Sequence, residues 1–140
     1  MKMHEIAHYG RYYRYHNYDR PYWWYDKNQD IAVSIDEIKR DIGCESIDGK
    51  VRELRRQGLV PFFEADVLSI ENQFAGLYLP KKYREKLSVL DDERYDYRFM
   101  EYIDNLGLLT KWYLFELEIL EKQAKVWLEN EKIQYSKDDT

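Results

Sequence analysis

Residues 34–60, SIDEIKRDIGCESIDGKVRELRRQGLV, constrain the fold of this chain more than any other stretch. Ser34 is followed three residues on by Glu37, the S-x-x-E pattern that caps a helix start by satisfying two orphan N–H groups. Ile35, Ile38 and Ile42 recur at spacings of three and four, which places them on one helical face. Gly43 suits the left-handed residue that closes a helix. Ser46 is a second candidate cap, Ile47, Val51 and Leu54 repeat the stripe, and Gly58 stops the second helix. Leu59-Val60-Pro61-Phe62-Phe63 is β-branched and aromatic and predicts a strand. The pattern is helix, tight turn, helix, exit strand.

Ile38, Ile42-Gly43-Cys44, Ile47, Val51, Leu54 and Gly58-Leu59-Val60 together resemble a winged helix-turn-helix domain. The resemblance implies a small antiparallel sheet whose hairpin wing follows the helices, and a second helix that enters the DNA major groove. Residues 67–70 and 74–79, turning through Glu71-Asn72-Gln73, are the expected wing, with Ile31-Ala32-Val33 as a strand pairing with it. On the DNA reading Lys50, Arg52, Arg55 and Arg56 meet phosphates. The outward face of that helix also carries Glu45, Asp48 and Glu53, and carboxylates at its start repel a polyanion.

Charge points the same way. The net charge is −5, and it is uneven: residues 1–60 hold 11 Lys and Arg against 10 Asp and Glu, residues 61–140 hold 11 against 17. A general nucleic-acid binder is usually basic. An acidic back half suits a protein partner with a basic surface.

Residues 9–25, YGRYYRYHNYDRPYWWY, concentrate Tyr, Trp, Arg and His. Three readings fit: rings that stack on bases while Arg pairs with phosphate, a protein-contact surface, which favours Trp, Tyr and Arg, or an aromatic layer packed over the helix pair. Tyr12, Arg14, Tyr15, Tyr22, Trp23 and Trp24, with Arg52 and Arg56, are the candidate contact residues. Alternation over residues 12–15 predicts a strand that Pro21 ends or forces to an edge.

His4-Glu5-Ile6-Ala7-His8 fits H-E-x-x-H, which on a helix puts two His on one face as zinc ligands with the Glu as general base. In those five residues the chain resembles zinc metallopeptidases; His16 is the candidate third ligand. A catalytic zinc needs three protein ligands, and the spacing to Gly10 and His16 does not follow the longer metallopeptidase pattern. The expectation is therefore no enzymatic zinc and no cofactor.

Pro80 predicts a helix start, followed by the basic run Lys81, Lys82, Arg84, Lys86. Asp91-Asp92-Glu93 favours another, because acids stabilise that end of the helix dipole. From there Phe99, Ile103, Leu106, Thr110, Tyr113, Leu117, Leu120, Ala124 and Trp127 alternate by fours and threes, a heptad seam. Gly107 kinks it or breaks it into a hairpin. Glu116, Glu118, Glu121, Lys122 and Lys125 cover the other faces. The seam suits packing on the chain's own core or a homodimer through residues 99–127.

Cys44, the only cysteine, excludes an intramolecular disulfide and fits a reducing compartment. No apolar run reads as a signal peptide or approaches the roughly 20 residues that span a bilayer. The expected fold is α+β: a helix-turn-helix core and small antiparallel sheet behind an aromatic segment (residues 1–90), a long helix or hairpin (91–134) and a frayed tail (135–140). The expected function is a non-catalytic cytoplasmic regulator or inhibitor that binds a protein handling nucleic acid, with a DNA-binding regulator and a zinc hydrolase as alternatives. In size and acidity the chain is similar to phage accessory proteins, including anti-CRISPR inhibitors.

Overall fold

The computed structural model describes residues 1–136. Its centre is a three-stranded antiparallel sheet of β2 (Trp23–Asp26), β3 (Ile31–Ser34) and β4 (Leu59–Pro61), in the order β3-β2-β4. Trp24 pairs with Val33 on one side and Pro61 on the other. Side chains alternate across a strand, so Trp24 and Tyr25 enter different cores. Trp24 packs with Val33, Ile35, Ile38, Ile47 and Leu54. Tyr25 packs with Met3, Ile6, Val60, Phe62 and Trp127.

The helix pair forms on the Trp24 side. In α2 (Ile35–Ile42) Ser34 Oγ accepts the Glu37 N–H at 3.2 Å, and Gly43, at φ 69°, closes the helix by donating to Arg40 and Lys39 carbonyls. The second helix is shorter than the spacing predicts. Ser46 Oγ caps a turn instead, accepting the Asp48 N–H at 3.1 Å. Gly49 sits at φ 76°, where a non-glycine residue is strained, and Lys50 N–H donates to Ile47 O. Helix α3 therefore spans only Val51–Arg56.

The expected wing is not a hairpin. Residues 67–78 form helix α4 (Val67–Tyr78), started by Asp66, whose Oδ1 accepts the Leu68 and Ser69 N–H groups. Val67, Ile70, Glu71, Phe74 and Ala75 then fall on one buried stripe. The sheet's third strand comes instead from upstream: β2 lies between β3 and β4. Its turn to β3 is held by Asp26 Oδ1, which accepts the Asn28 and Gln29 N–H groups. The predicted strand over residues 12–15 shrinks to β1 (Arg11–Tyr12), which pairs in parallel with β5 (Ala65–Asp66).

At the chain start, α1 (Met3–Tyr9) packs against the end of the last helix. Met3 N–H donates to Ser136 O and Ser136 N–H to Met1 O, so the tail is tied back through residue 136; residues 137–140 of the expected frayed tail lie outside the described residues. After α4 come α5 (Lys81–Leu87), capped by Pro80, and α6 (Asp92–Asn105), whose cap Asp91 accepts the Arg94 N–H. Gly107, at φ 70°, ends that helix, and α7 (Leu109–Glu131) follows.

The hairpin changes the predicted seam. Phe99, Ile103, Leu120, Ala124 and Trp127 are buried inside the chain, but Leu106, Tyr113 and Leu117 face outward. Trp112 and Glu116, one residue earlier, occupy the core positions. α7 runs through two cores. Trp112 and Leu120 pack with Phe74, Phe99 and Ile103, while Ala124, Trp127 and Leu128 close the core against the sheet. Trp127 stacks on Phe62 at 4.8 Å, and its Nε1–H donates to Pro61 O at 2.9 Å.

Candidate docking groove and its buried carboxylate support

Between α4, α6 and α7 the chain buries two acids and brings the half-buried Asp96 to them. Glu71 is 1 % exposed and Glu116 6 %, and Asp96 joins them from α6. A buried carboxylate is costly unless it is neutralised or paired, and both solutions are present. Arg11, from β1, reaches Glu116: Nη2 donates to Oε2 at 3.2 Å and to the Tyr13 hydroxyl at 2.5 Å. Arg11 Nε lies 3.2 Å from Glu116 Oε1 with its N–H off that line, so this second contact is an ion pair and not a hydrogen bond. Burial nevertheless holds Glu116 above the usual carboxyl range, against the pull of Arg11.

Glu71 takes the other solution. Burial, then its hydrogen bond to Asp96 and the negative charges of Asp96 and Glu116, push it from 4.5 up to about 11. A carboxyl so placed is a neutral acid at neutral pH and donates its O–H to Asp96. Its Oε1 has no hydrogen-bond partner. Asp96 also accepts a hydrogen bond from the Tyr15 O–H; burial first, and this bond second, raise Tyr15 well above its ordinary value. Burial likewise pushes Tyr13 and Tyr95 up to about 12.

This support lies under a surface groove of about 640 Å³. Tyr15, Tyr97, Met100, Leu109 and Tyr113 give it a mostly apolar lining, and Glu93, Asp96, Glu101 and Asp104 bring carboxylates; among the described residues no Lys or Arg lines it. Glu93, Tyr97, Met100 and Asp104 follow spacings of four, three and four, so they share one face of α6. Tyr97 is 70 % exposed and Tyr113 52 %, a large apolar area left open to solvent. Tyr97 and Glu93 also line a second concavity of about 720 Å³ beside Arg94 and Arg98. Both arginines are engaged on their own helix turn: Arg98 with Glu101 at 3.1 Å, Arg94 with Asp91 at 3.7 Å.

The residues singled out from the sequence scatter. Tyr15 reaches the groove, and Arg14 anchors beside it by a two-pronged bond to Asp92 at 3.0 Å and a contact to Asp66. Tyr12 and Trp24 belong to the interior, at 8 % and 1 % exposure, rather than to a contact surface; Arg20 covers the Tyr12 ring at 3.8 Å. Tyr22 and Trp23 are half-buried in a run of rings joining Tyr18 to Tyr9. Arg55 forms a two-pronged pair with Glu131, and Arg56 contacts Glu53. Arg52 is exposed and Lys50 half-buried, and neither forms an ion pair among the described residues.

His4 and His8 are exposed on α1, and His16 packs among Tyr13, Tyr15 and Tyr18. Among the described residues no three His, Cys, Asp or Glu side chains are brought together as a metal-ligand group, so His16 does not complete a set with His4 and His8. Cys44 is half-buried, its thiol directed at Ile42 O.

Sequence reasoning missed Glu71, Asp96, Tyr97, Met100, Tyr113 and Glu116 as parts of one site. Glu116 did leave a signal: it sits four residues from Trp112 and from Leu120, in the middle of an apolar stripe.

No family model, no curated protein and no solved structure matches this chain. Among the described residues, no helix is long and apolar enough to cross a membrane.

Proposed function

We propose that this chain is a non-catalytic regulator or inhibitor that docks onto a protein partner, one that handles nucleic acid. The α6–α7 groove carries this reading. Two exposed tyrosines flank Met100 there, and large, stiff aromatic side chains are the residues that anchor protein interfaces. Among the described residues the same groove brings four carboxylates and no cation, which repels phosphate and attracts the basic surface that a nucleic-acid-handling protein presents. The polar support beneath fixes α4, α6 and α7 relative to one another, so the groove is preformed and little ordering is needed on binding.

The test is capture from a lysate of the source cells with the wild-type chain and with the Tyr97→Ala/Tyr113→Ala variant. A partner retained only by the wild type, whose action on nucleic acid the wild-type chain alters and the variant does not, supports the reading. A salt-sensitive shift of duplex DNA by the purified chain, abolished in Arg52→Ala/Arg56→Ala, sinks it in favour of direct DNA binding.

A further inference from the structure

We infer that the occupant of the α6–α7 groove is a short cationic segment of the partner: an apolar side chain seated over Met100 between Tyr97 and Tyr113, with a Lys or Arg on each side of it. This deepens the docking reading above and rests on it.

The charges of the groove are not equivalent. Glu101 is engaged by Arg98 at 3.1 Å. Asp96 is half-buried and already accepts the Tyr15 O–H. Glu93 and Asp104 form no ion pair among the described residues, and both line the groove. They stand at opposite ends of one helix face, eleven residues apart, which at 1.5 Å per residue is about 16 Å. Between them on that face lie Tyr97 and Met100, and the carboxylates in between, Asp96 and Glu101, are the engaged ones. An extended segment rises about 3.3 Å per residue, so some five residues cover that length, with room at each end for a long basic side chain to swing onto a carboxylate. An acidic or phosphate-bearing occupant meets repulsion at both ends. A purely apolar one leaves both carboxylates facing a dry surface without a partner, which costs free energy. Lys and Arg also lay their own methylene stems along apolar surface while the charge stays at the rim, which suits tyrosine walls.

Panning a randomised nine-residue peptide library on the whole chain tests this. The expected result is enrichment of peptides with one or two apolar residues flanked on both sides by Lys or Arg. Their retention falls roughly tenfold in Tyr97→Ala, the loss typical of an interface anchor. It falls also in Glu93→Gln/Asp104→Asn and with rising salt. These positions are exposed or on the groove rim, and circular dichroism of each variant verifies that the helices persist. Enrichment of acidic or purely apolar peptides, retention unchanged in Glu93→Gln/Asp104→Asn, binding of duplex DNA in the groove, or no enrichment at all overturns the inference. If the peptide result fails while partner capture still depends on Tyr97 and Tyr113, docking stands and only the occupant's chemistry is wrong. If capture is also indifferent to those tyrosines, both fall.

Discussion

Replacing Glu71 by Gln should stabilise this protein at neutral pH, against the usual expectation for a buried residue. Glu71 is raised from 4.5 to about 11 in the fold, by burial first and by Asp96 second. The sign follows from linkage. Above 4.5 the unfolded chain releases this proton while the folded chain keeps it, so the folded state binds more protons and stability falls as pH rises towards the folded value. Each pH unit costs about 1.4 kcal/mol per proton. At pH 7 the handicap is therefore about 3 kcal/mol relative to a group that stays neutral in both states. Gln is neutral in both and nearly the same shape, and its amide N–H donates to Asp96 where the Glu71 proton did. One amide hydrogen is left over in a buried site, which returns about 1–2 kcal/mol of the gain. Glu71→Gln should thus be more stable by about 1–2 kcal/mol at pH 7, with the advantage widening towards pH 9 and shrinking to nothing or reversing near pH 5. Urea unfolding of both proteins across that range measures it. A difference that does not vary with pH would show that Glu71 is already ionised in the folded chain and would refute its placement as a neutral donor to Asp96.

Other substitutions probe the frame around the groove. Gly10→Ala puts a methyl group 2.1 to 2.7 Å from three atoms of the Phe63 ring, which packs against two cores; thermal unfolding should show a loss of about 1–3 kcal/mol. Trp127→Ala removes the stack on Phe62 and the bond to Pro61 O, and denaturant unfolding should register about 3–5 kcal/mol. Arg14→Ala breaks the exposed ties to Asp92 and Asp66. It should cost under about 1 kcal/mol overall, yet hydrogen exchange at residues 13–20 should quicken, because that segment is then held to α6 by the Tyr15–Asp96 bond alone among these polar ties.

How much of this was legible depends on the element. The Ser34 cap, the Gly43 stop, the Asp91 helix start and the break at Gly107 all follow local rules and stand in the structure, and the strand expected over residues 59–63 forms over Leu59–Pro61. Residues 67–78 misled because Val67, Leu68 and Ile70 suit a strand as well as a helix; the deciding signal was Asp66, a helix cap one residue upstream. Ser46 offered a cap too, but Gly49 in its left-handed conformation delayed the helix to Val51. The heptad count failed for a geometrical reason. The buried stripe of α7 steps by four from Trp112 through Glu116 and Leu120 to Ala124, so a seam that steps by three between 117 and 120 keeps Leu120, Ala124 and Trp127 but lands one residue past the buried Trp112 and Glu116, on Tyr113 and Leu117.

The site was the least legible part. A glutamate is assigned to solvent unless its partner is known, and the partner of Glu116 is Arg11, 105 residues away. Tyr97 and Tyr113 meet across a groove that exists only once α6 and α7 fold into a hairpin. The aromatic stretch near the chain start was conspicuous by composition, yet Tyr12 and Trp24 went into the interior and Tyr15 alone reached the groove.

Site-specific photo-crosslinking from position 97, with a photoreactive phenylalanine in place of Tyr97 and the chain expressed in its source cells, tests the docking account most directly. The account predicts a discrete covalent adduct to one protein, mapped to a Lys- or Arg-flanked apolar segment and suppressed by Tyr113→Ala. Adducts to nucleic acid, or a dominant adduct to a second copy of the chain itself, would contradict it.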